Sequence, residues 1–136
     1  MTSEADAALI TDSLAAAAER GGDLTSAVYE RLFRERPDLE ALFILDKNGA
    51  VRGEMLSRVF DAILDFIGAR SYAHNLIGAE ATTHEGYLVP RDAFAMFFAI
   101  VRNEVRQASG PHWTDATEEA WTRLLIDIAR YTTPSH

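Results

Sequence analysis

Residues 77–101 form the stretch IGAEATTHEGYLVPRDAFAMFFAIV. Its first half sets apolar residues and one histidine on a single helix face, at spacings of three and four: Ile77, Ala81, His84 and Leu88. Pro90 suits the first turn of a second helix, because its missing N–H needs no partner there. The inward face of that second helix is aromatic and branched: Phe94, Phe97, Phe98, Val101 and Val105. Two consecutive helices are therefore predicted, with a lone histidine on the apolar face of the first.

Helical spacing continues through the rest of the chain, and no stretch alternates apolar and polar residues as a strand would. The pair Gly21-Gly22 is predicted to end a first helix that runs from about Ser3 to Arg20. Asp23 or Thr25 can cap the next helix, which Pro37 breaks before a short turn over residues 38–43.

Three further helices and one turn are predicted from the same signals. The helices run from about Gly53 to Gly68, from about Tyr72 to Gly86, and onward from a cap at Thr114, and the turn occupies residues 46–49. Short connections between the helices favour one all-α domain of about seven packed helices over residues 1–136.

Composition excludes several classes of protein. The net charge is −8 and no cluster of Lys or Arg offsets it, so nucleic acid is not an expected partner. The chain has no cysteine, which excludes disulfides, thiolate metal sites and cysteine nucleophiles. No apolar run is long enough to span a bilayer, and the acidic residues 1–6 do not resemble a signal peptide. We therefore expect a cytoplasmic protein without a membrane segment, either a monomer or a homodimer.

Three groups of residues, in this order and at these separations, resemble bacterial single-domain globins and the haem domain of flavohaemoglobins. The first group is Val28-Tyr29-Glu30-Arg31-Leu32-Phe33 together with residues 36–43. The second consists of His84, Tyr87, Val89 and Phe94, followed by the long apolar helix. The third is Trp113-Thr114 with Glu119-Ala120-Trp121 in the last helix. The resemblance covers nearly the whole chain and implies a globin-like sandwich of helices around a non-covalently held haem b.

The resemblance implies a role for three residues around that haem. His84 would bind the iron, because haem iron takes a neutral imidazole nitrogen. Phe43 would pack flat against the porphyrin and bury a large apolar area. Tyr29 would point its hydroxyl at the bound gas, since dioxygen on iron carries partial negative charge and accepts a hydrogen bond. For Tyr29 and Phe43 the alternative is ordinary core packing.

The remaining site residues implied by the resemblance lie on two helices. Met55 would occupy the distal position, an alignment that depends on gap placement, and Val59 would line the gas site one turn further on. Arg58 would pair with a haem propionate or remain in solvent. Phe94 stands where flavohaemoglobins carry a proximal-side tyrosine, and Phe98 is a further cofactor-binding candidate.

Two other polar residues call for comparison with His84. Glu80, one turn before it, would either accept the second ring proton of the imidazole or face solvent. His74 lies ten residues before His84, about 280° around a helix, so the two do not form a paired metal site. His74 is instead expected near a haem propionate.

The function implied by the resemblance is reversible binding of dioxygen and, in the same pocket, of nitric oxide or carbon monoxide. The protein would be at most a nitric oxide dioxygenase that depends on a separate reductase, because no glycine-rich phosphate loop occurs in the chain. The alternative is a globin-like fold without haem that acts as an interaction or stress-signalling module. Large side chains filling the haem positions, such as Tyr29 and Met55, would favour that alternative.

Overall fold

The computed structural model describes residues 2–86 and 89–132, and most of this part of the chain is helical. Six α-helices follow one another: α1 (Glu4–Gly21), α2 (Thr25–Glu35), α3 (Ala50–Ile67), α4 (Ala73–Gly86), α5 (Arg91–Ser109) and α6 (Asp115–Thr132). A 3₁₀-helix, Pro37–Phe43, follows α2, and a single 3₁₀ turn, Gly110–His112, precedes α6. No strand occurs within residues 2–86 or 89–132. The predicted all-α class with about seven helices is therefore confirmed.

Polar side chains cap the helices close to where the sequence predicts. The Ser3 hydroxyl accepts a hydrogen bond from the Asp6 amide (3.1 Å) at the start of α1, and Thr114 does the same for Thr117 (3.1 Å) before α6. Gly22 ends α1 with φ of 66°, a left-handed conformation that favours glycine. Ser3 and Gly22 thus mark the two ends of α1, and Thr114 marks the start of α6.

Helix α3 begins at Ala50, three residues before the predicted start, because the preceding turn caps it. The Asp46 carboxylate accepts hydrogen bonds from the Val51 and Arg52 amides and from Nε of Arg52. Burial alone would raise the pKa of Asp46, but these donors hold it below its ordinary value. The polar turn at residues 46–49 is thus both a turn and the cap of the next helix.

The connection between α3 and α4 is fixed by Asp65. Its carboxylate accepts hydrogen bonds from three successive amides, those of Ser71, Tyr72 and Ala73, at 2.8–3.1 Å. The bonds from Tyr72 and its neighbours keep the pKa of Asp65 below its ordinary value. An acid on α3 therefore sets the start of α4, the helix that carries His84.

Helix α5 lies at the centre of the domain and packs against α1, α2, α4 and α6. Its buried residues include Phe98, Ile100, Val101 and Val105. On the α2 side, the nearly buried Glu104 accepts a 2.7 Å hydrogen bond from Nε of Arg31. Burying Glu104 without this partner would be costly, so the ion pair fixes how α2 crosses α5.

A buried polar network joins α1, α5 and α6. The Ser13 hydroxyl donates to the Ile10 carbonyl (2.6 Å) and accepts from Nε1 of Trp121 (2.9 Å). The Ser109 hydroxyl lies within 3.0 Å of the Ser13 carbonyl. In this way the largest buried side chain, Trp121, has its one polar atom satisfied inside the core.

Among residues 2–86 and 89–132, no helix combines the length and the apolar content needed to cross a membrane.

Replacing Ser13 by alanine is expected to lower the free energy of unfolding by about 1–3 kcal/mol, because Nε1 of Trp121 then stays buried without an acceptor. Urea unfolding followed by tryptophan fluorescence measures the change. Ser57→Ala, at an exposed position of α3, is the matched control. An equal loss in the two variants would contradict the role given to the Ser13 hydroxyl.

Candidate haem site

A cleft of about 360 Å³ opens between α2, the 3₁₀-helix, α3, α4 and the beginning of α5. Most side chains that line it are apolar, and its volume is typical of a small-molecule site. Among the described residues, the polar ones in its lining are Tyr29, Arg58, Asp61, Tyr72, Glu80 and His84. Arg58, Asp61 and Tyr72 are exposed and mark the mouth of the cleft, whereas Tyr29 is buried. The cleft is therefore an apolar slot with a polar mouth.

All eight residues that the sequence assigned to cofactor binding line this one cleft: Tyr29, Phe43, Met55, Arg58, Val59, His84, Phe94 and Phe98. They come from four helices and the 3₁₀-helix, and the first and last of them are 69 positions apart along the chain. Tyr87, which contributed to the resemblance, lies outside the described residues.

His84 bonds through one ring nitrogen, and the other has no partner among residues 2–86 and 89–132. Its Nδ1 lies 2.8 Å from the backbone carbonyl of Glu80, and a carbonyl only accepts, so Nδ1 carries the proton. In the neutral ring the lone pair is then on Nε2, which is the nitrogen available to a metal ion. The ring of Phe94 packs against the imidazole at 5.1 Å between centroids. The hydrogen bond determines which ring nitrogen carries the proton. Together with the ring contact it also restricts the orientation of the imidazole.

The Glu80 carboxylate is not the main acceptor of the second imidazole proton, which was the first of the two alternatives predicted for it. Its Oε2 lies 3.5 Å from Nδ1 of His84, beyond a good hydrogen-bond distance, while the Glu80 carbonyl already takes the proton. The side chain is 45% exposed. Glu80 thus holds the imidazole through its backbone and keeps its charge at the edge of the cleft.

Tyr29 is buried and carries a hydroxyl without a partner. It is 2% exposed, and its Oη forms no hydrogen bond with the residues that the structure describes. Burial raises the pKa of the phenol, with a lowering effect from Arg52 and a further raising effect from Asp46. The hydroxyl therefore keeps its proton throughout the ordinary pH range and remains able to donate a hydrogen bond.

An aromatic cluster holds the Tyr29 ring in place. Phe43 and Phe97 each lie 5.5 Å from Tyr29 between ring centroids, and Phe33 lies at 6.0 Å. Phe43 ends the 3₁₀-helix, whose Pro37 start turns the chain from α2 toward the cleft. Such tilted and edge contacts are favourable aromatic geometries, so the ring is positioned by packing and not by its hydroxyl.

Helix α3 contributes three of the predicted residues to the lining of the cleft: Met55, Arg58 and Val59. Met55 and Val59 are one turn apart and partly buried. Arg58 donates from Nη2 to Glu54 (2.9 Å), and its side chain is 76% exposed. An exposed pair of this kind is weak, so Arg58 remains available to another anion at the mouth.

Several lining residues were not singled out from the sequence. Leu39 and Leu42 lie three residues apart in the 3₁₀-helix, a period that puts both on one face. Leu76 lies two helical turns before His84, and Ala93 lies in the first turn of α5. A helical reading of residues 37–43, in place of a turn, would have revealed the two leucines.

His74 does not belong to the site, contrary to the expectation that it lies near a propionate. It is absent from the lining of the cleft, and its ring packs against Tyr131 at 6.0 Å between centroids. His112 lies in the 3₁₀ turn before α6 and also does not line the cleft. His136 is outside the described residues. Among the described histidines, His84 is thus the only one that lines the cleft.

The cleft fits a haem. Its walls are apolar and aromatic, and one wall offers a single free imidazole nitrogen. The described residues contain no group of three or more His, Asp or Glu side chains that could hold a metal ion. The nitrogens of the porphyrin already bind the iron of a haem. The protein therefore needs to supply only a single histidine. The Tyr29 side chain in the same wall has a buried hydroxyl without a partner among the described residues.

Comparison with known proteins agrees with this geometry. No curated protein and no solved structure gave a match. The family model for globins matches residues 26–131, which run from the first turn of α2 to the penultimate residue of α6 and include the whole lining of the cleft. Globins are generally haem proteins that bind diatomic gases. The chain belongs to the globin family.

Proposed function

We propose that this globin is a single-domain haem b protein, similar to bacterial globins and flavohaemoglobin haem domains, that reversibly binds dioxygen, nitric oxide and carbon monoxide. The observation that carries the proposal is the His84 geometry: Nδ1 donates to the Glu80 carbonyl, and Nε2 is left free in an apolar cleft. Helix α1 precedes the matched segment, yet it packs against α5 and α6. We therefore take residues 1–136 as one domain.

The chain's own residues divide the work within the cleft. When bound, the haem supplies a reducible iron with one position for a diatomic gas. His84 would hold the iron, and its bond to the Glu80 carbonyl keeps the imidazole oriented, with Nε2 toward the metal. Phe94, Phe98 and Val59 exclude water from the apolar walls. Exclusion of water protects the reduced metal and strengthens polar contacts inside the cleft.

Tyr29 is the donor to the gas in this proposal. Its hydroxyl is buried, protonated and unpaired, and the ring is fixed by Phe43 and Phe97. A donor held in place by packing needs no reorganisation when a polar ligand enters. A polar ligand such as dioxygen would gain more from this contact than carbon monoxide would.

A nitric oxide dioxygenase activity with an external reductase belongs to the same proposal, because the cleft that binds dioxygen also admits nitric oxide. The haem-free alternative would require large side chains to fill the cleft. Tyr29 and Met55 lie in its lining instead, and the cleft keeps an open volume of about 360 Å³. The open volume supports the haem-binding proposal over the alternative.

The first prediction concerns the iron ligand. Purified protein reconstituted with haem is expected to give a Soret band that shifts with carbon monoxide, and His84→Ala should lose or severely alter it. His74→Ala, a histidine outside the cleft, is the matched control and should leave the spectrum unchanged. Failure of well-folded wild-type protein to take up haem would overturn the proposal.

The second prediction concerns gas release. Replacing Tyr29 by phenylalanine removes one hydrogen bond to a polar ligand, so dioxygen should dissociate about ten- to a hundredfold faster. The carbon monoxide dissociation rate should change much less. Stopped-flow absorbance measures both rates, and Tyr72→Phe at the exposed mouth is the control. Equal dioxygen release from wild type and Tyr29→Phe would remove Tyr29 from the proposal.

The third prediction separates ligand binding from stability. In haem-free protein the Tyr29 hydroxyl is buried without a partner, so Tyr29→Phe should leave stability unchanged or raise it by about 1 kcal/mol. Urea unfolding of the haem-free variants measures this. A loss of more than about 1 kcal/mol would mean that the hydroxyl serves the fold rather than the ligand.

A further inference from the structure

The mouth of the cleft carries an excess of negative charge. Among the described residues in its lining, three are charged: Arg58, Asp61 and Glu80. All are on the solvent side, with Arg58 and Asp61 exposed and the Glu80 side chain 45% exposed. The Asp61 carboxylate forms no ion pair or hydrogen bond with a described residue; only the Asp61 backbone carbonyl is bonded, by the Tyr72 hydroxyl at 3.4 Å.

Arg58 is the one cation among the described residues that line the mouth, and it already has one partner, held only weakly. Arg58 pairs with Glu54 on the preceding turn of α3 at 2.9 Å. The arginines on nearby elements are also committed: Arg36 contacts Asp38 and Asp92, and Arg91 contacts Glu85 and bonds the Thr132 carbonyl. None of these lines the cleft. The residues outside the described ranges include no Lys or Arg, so they add no such cation.

The acidic mouth would lie beside the anionic groups of the haem. Haem b carries two propionates, and ionised carboxylates are too costly to bury against the apolar walls. They would therefore lie at the mouth, which carries Arg58, Asp61 and Glu80. Like charges in proximity repel, and Arg58, which is shared with Glu54, does not offset two acids on its own.

We propose, on the basis of the haem-binding function above, that this globin holds its haem as an exchangeable ligand, with Asp61 and Glu80 setting the rate of release. His84 and the apolar walls bind the ring, while the acidic mouth weakens retention of its charged edge. The chain then suits a protein that takes up haem and passes it on, or whose gas binding depends on haem supply.

The experiment measures loss of ferric haem from the loaded, full-length protein to an excess of apomyoglobin, followed by the change in the Soret band. Asp61→Asn is the central variant, because Asp61 does not contact His84. Glu54→Gln frees Arg58, and Asp61→Asn/Glu80→Gln neutralises both acids. Asp12→Asn removes one exposed acid from α1, which does not line the cleft, and is the matched control for net charge.

We expect Asp61→Asn and Glu54→Gln each to slow haem loss about two- to fivefold, the size of effect that one exposed charge interaction produces. The double variant should be slower still, and Asp12→Asn should match wild type. Raising the salt concentration should slow loss from wild type by screening, with little effect on the double variant.

Two outcomes overturn the inference while leaving the proposed function intact. One is haem loss from Asp61→Asn at or above the wild-type rate. The other is faster loss from wild type at high salt, which would mean that attraction dominates the mouth. Absence of any haem uptake by the wild type is a different result, since it overturns the proposed function together with the inference.

Discussion

Burial of α5 among four other helices is the constraint on which the rest of the structure depends. Its core side packs Ile100, Val101 and Val105 against neighbouring helices, and Glu104 fixes α2 through Arg31. With that side sealed, the beginning of α5 presents Phe94, Phe97 and Phe98 to a cleft that the other helices do not fill. Close packing normally removes such a space, because each empty volume forfeits dispersion contacts. In this chain the space between the surrounding helices remains open.

The lining of the cleft includes side chains that are poorly satisfied in the isolated chain. Among the described residues the Tyr29 hydroxyl is buried without a partner, and Leu42, Tyr72 and Leu76 are large side chains partly exposed at the opening. The unpartnered hydroxyl costs free energy, and in our proposal the ligand supplies its partner. On the far side of α5, by contrast, Nε1 of Trp121 is satisfied by Ser13, and the Ser109 hydroxyl bonds the Ser13 carbonyl.

Much of this architecture is predictable from local sequence, and the errors have physical causes. Helix ends are marked in the sequence by Gly21-Gly22, Pro37 and Thr114. The helix boundaries predicted near these residues are therefore nearly correct. Helix α3 starts earlier than predicted because Asp46 caps it from outside the periodic stretch. Glu80 illustrates a second limit: a carboxylate one turn before a histidine suggests a side-chain acceptor, but the backbone carbonyl is nearer and cannot be read from residue type. His74 illustrates a third, since its position relative to the cleft depends on how α4 packs against α6.

The central claim is that Nε2 of His84 binds haem iron while Nδ1 donates to the Glu80 carbonyl. A crystal structure of the haem-loaded protein tests it most directly. The account predicts haem in the cleft between α3 and α5, an iron bond to Nε2 of His84, and an unchanged bond from Nδ1 to the Glu80 carbonyl. Haem bound outside the cleft, or iron held by a residue other than His84, would contradict it.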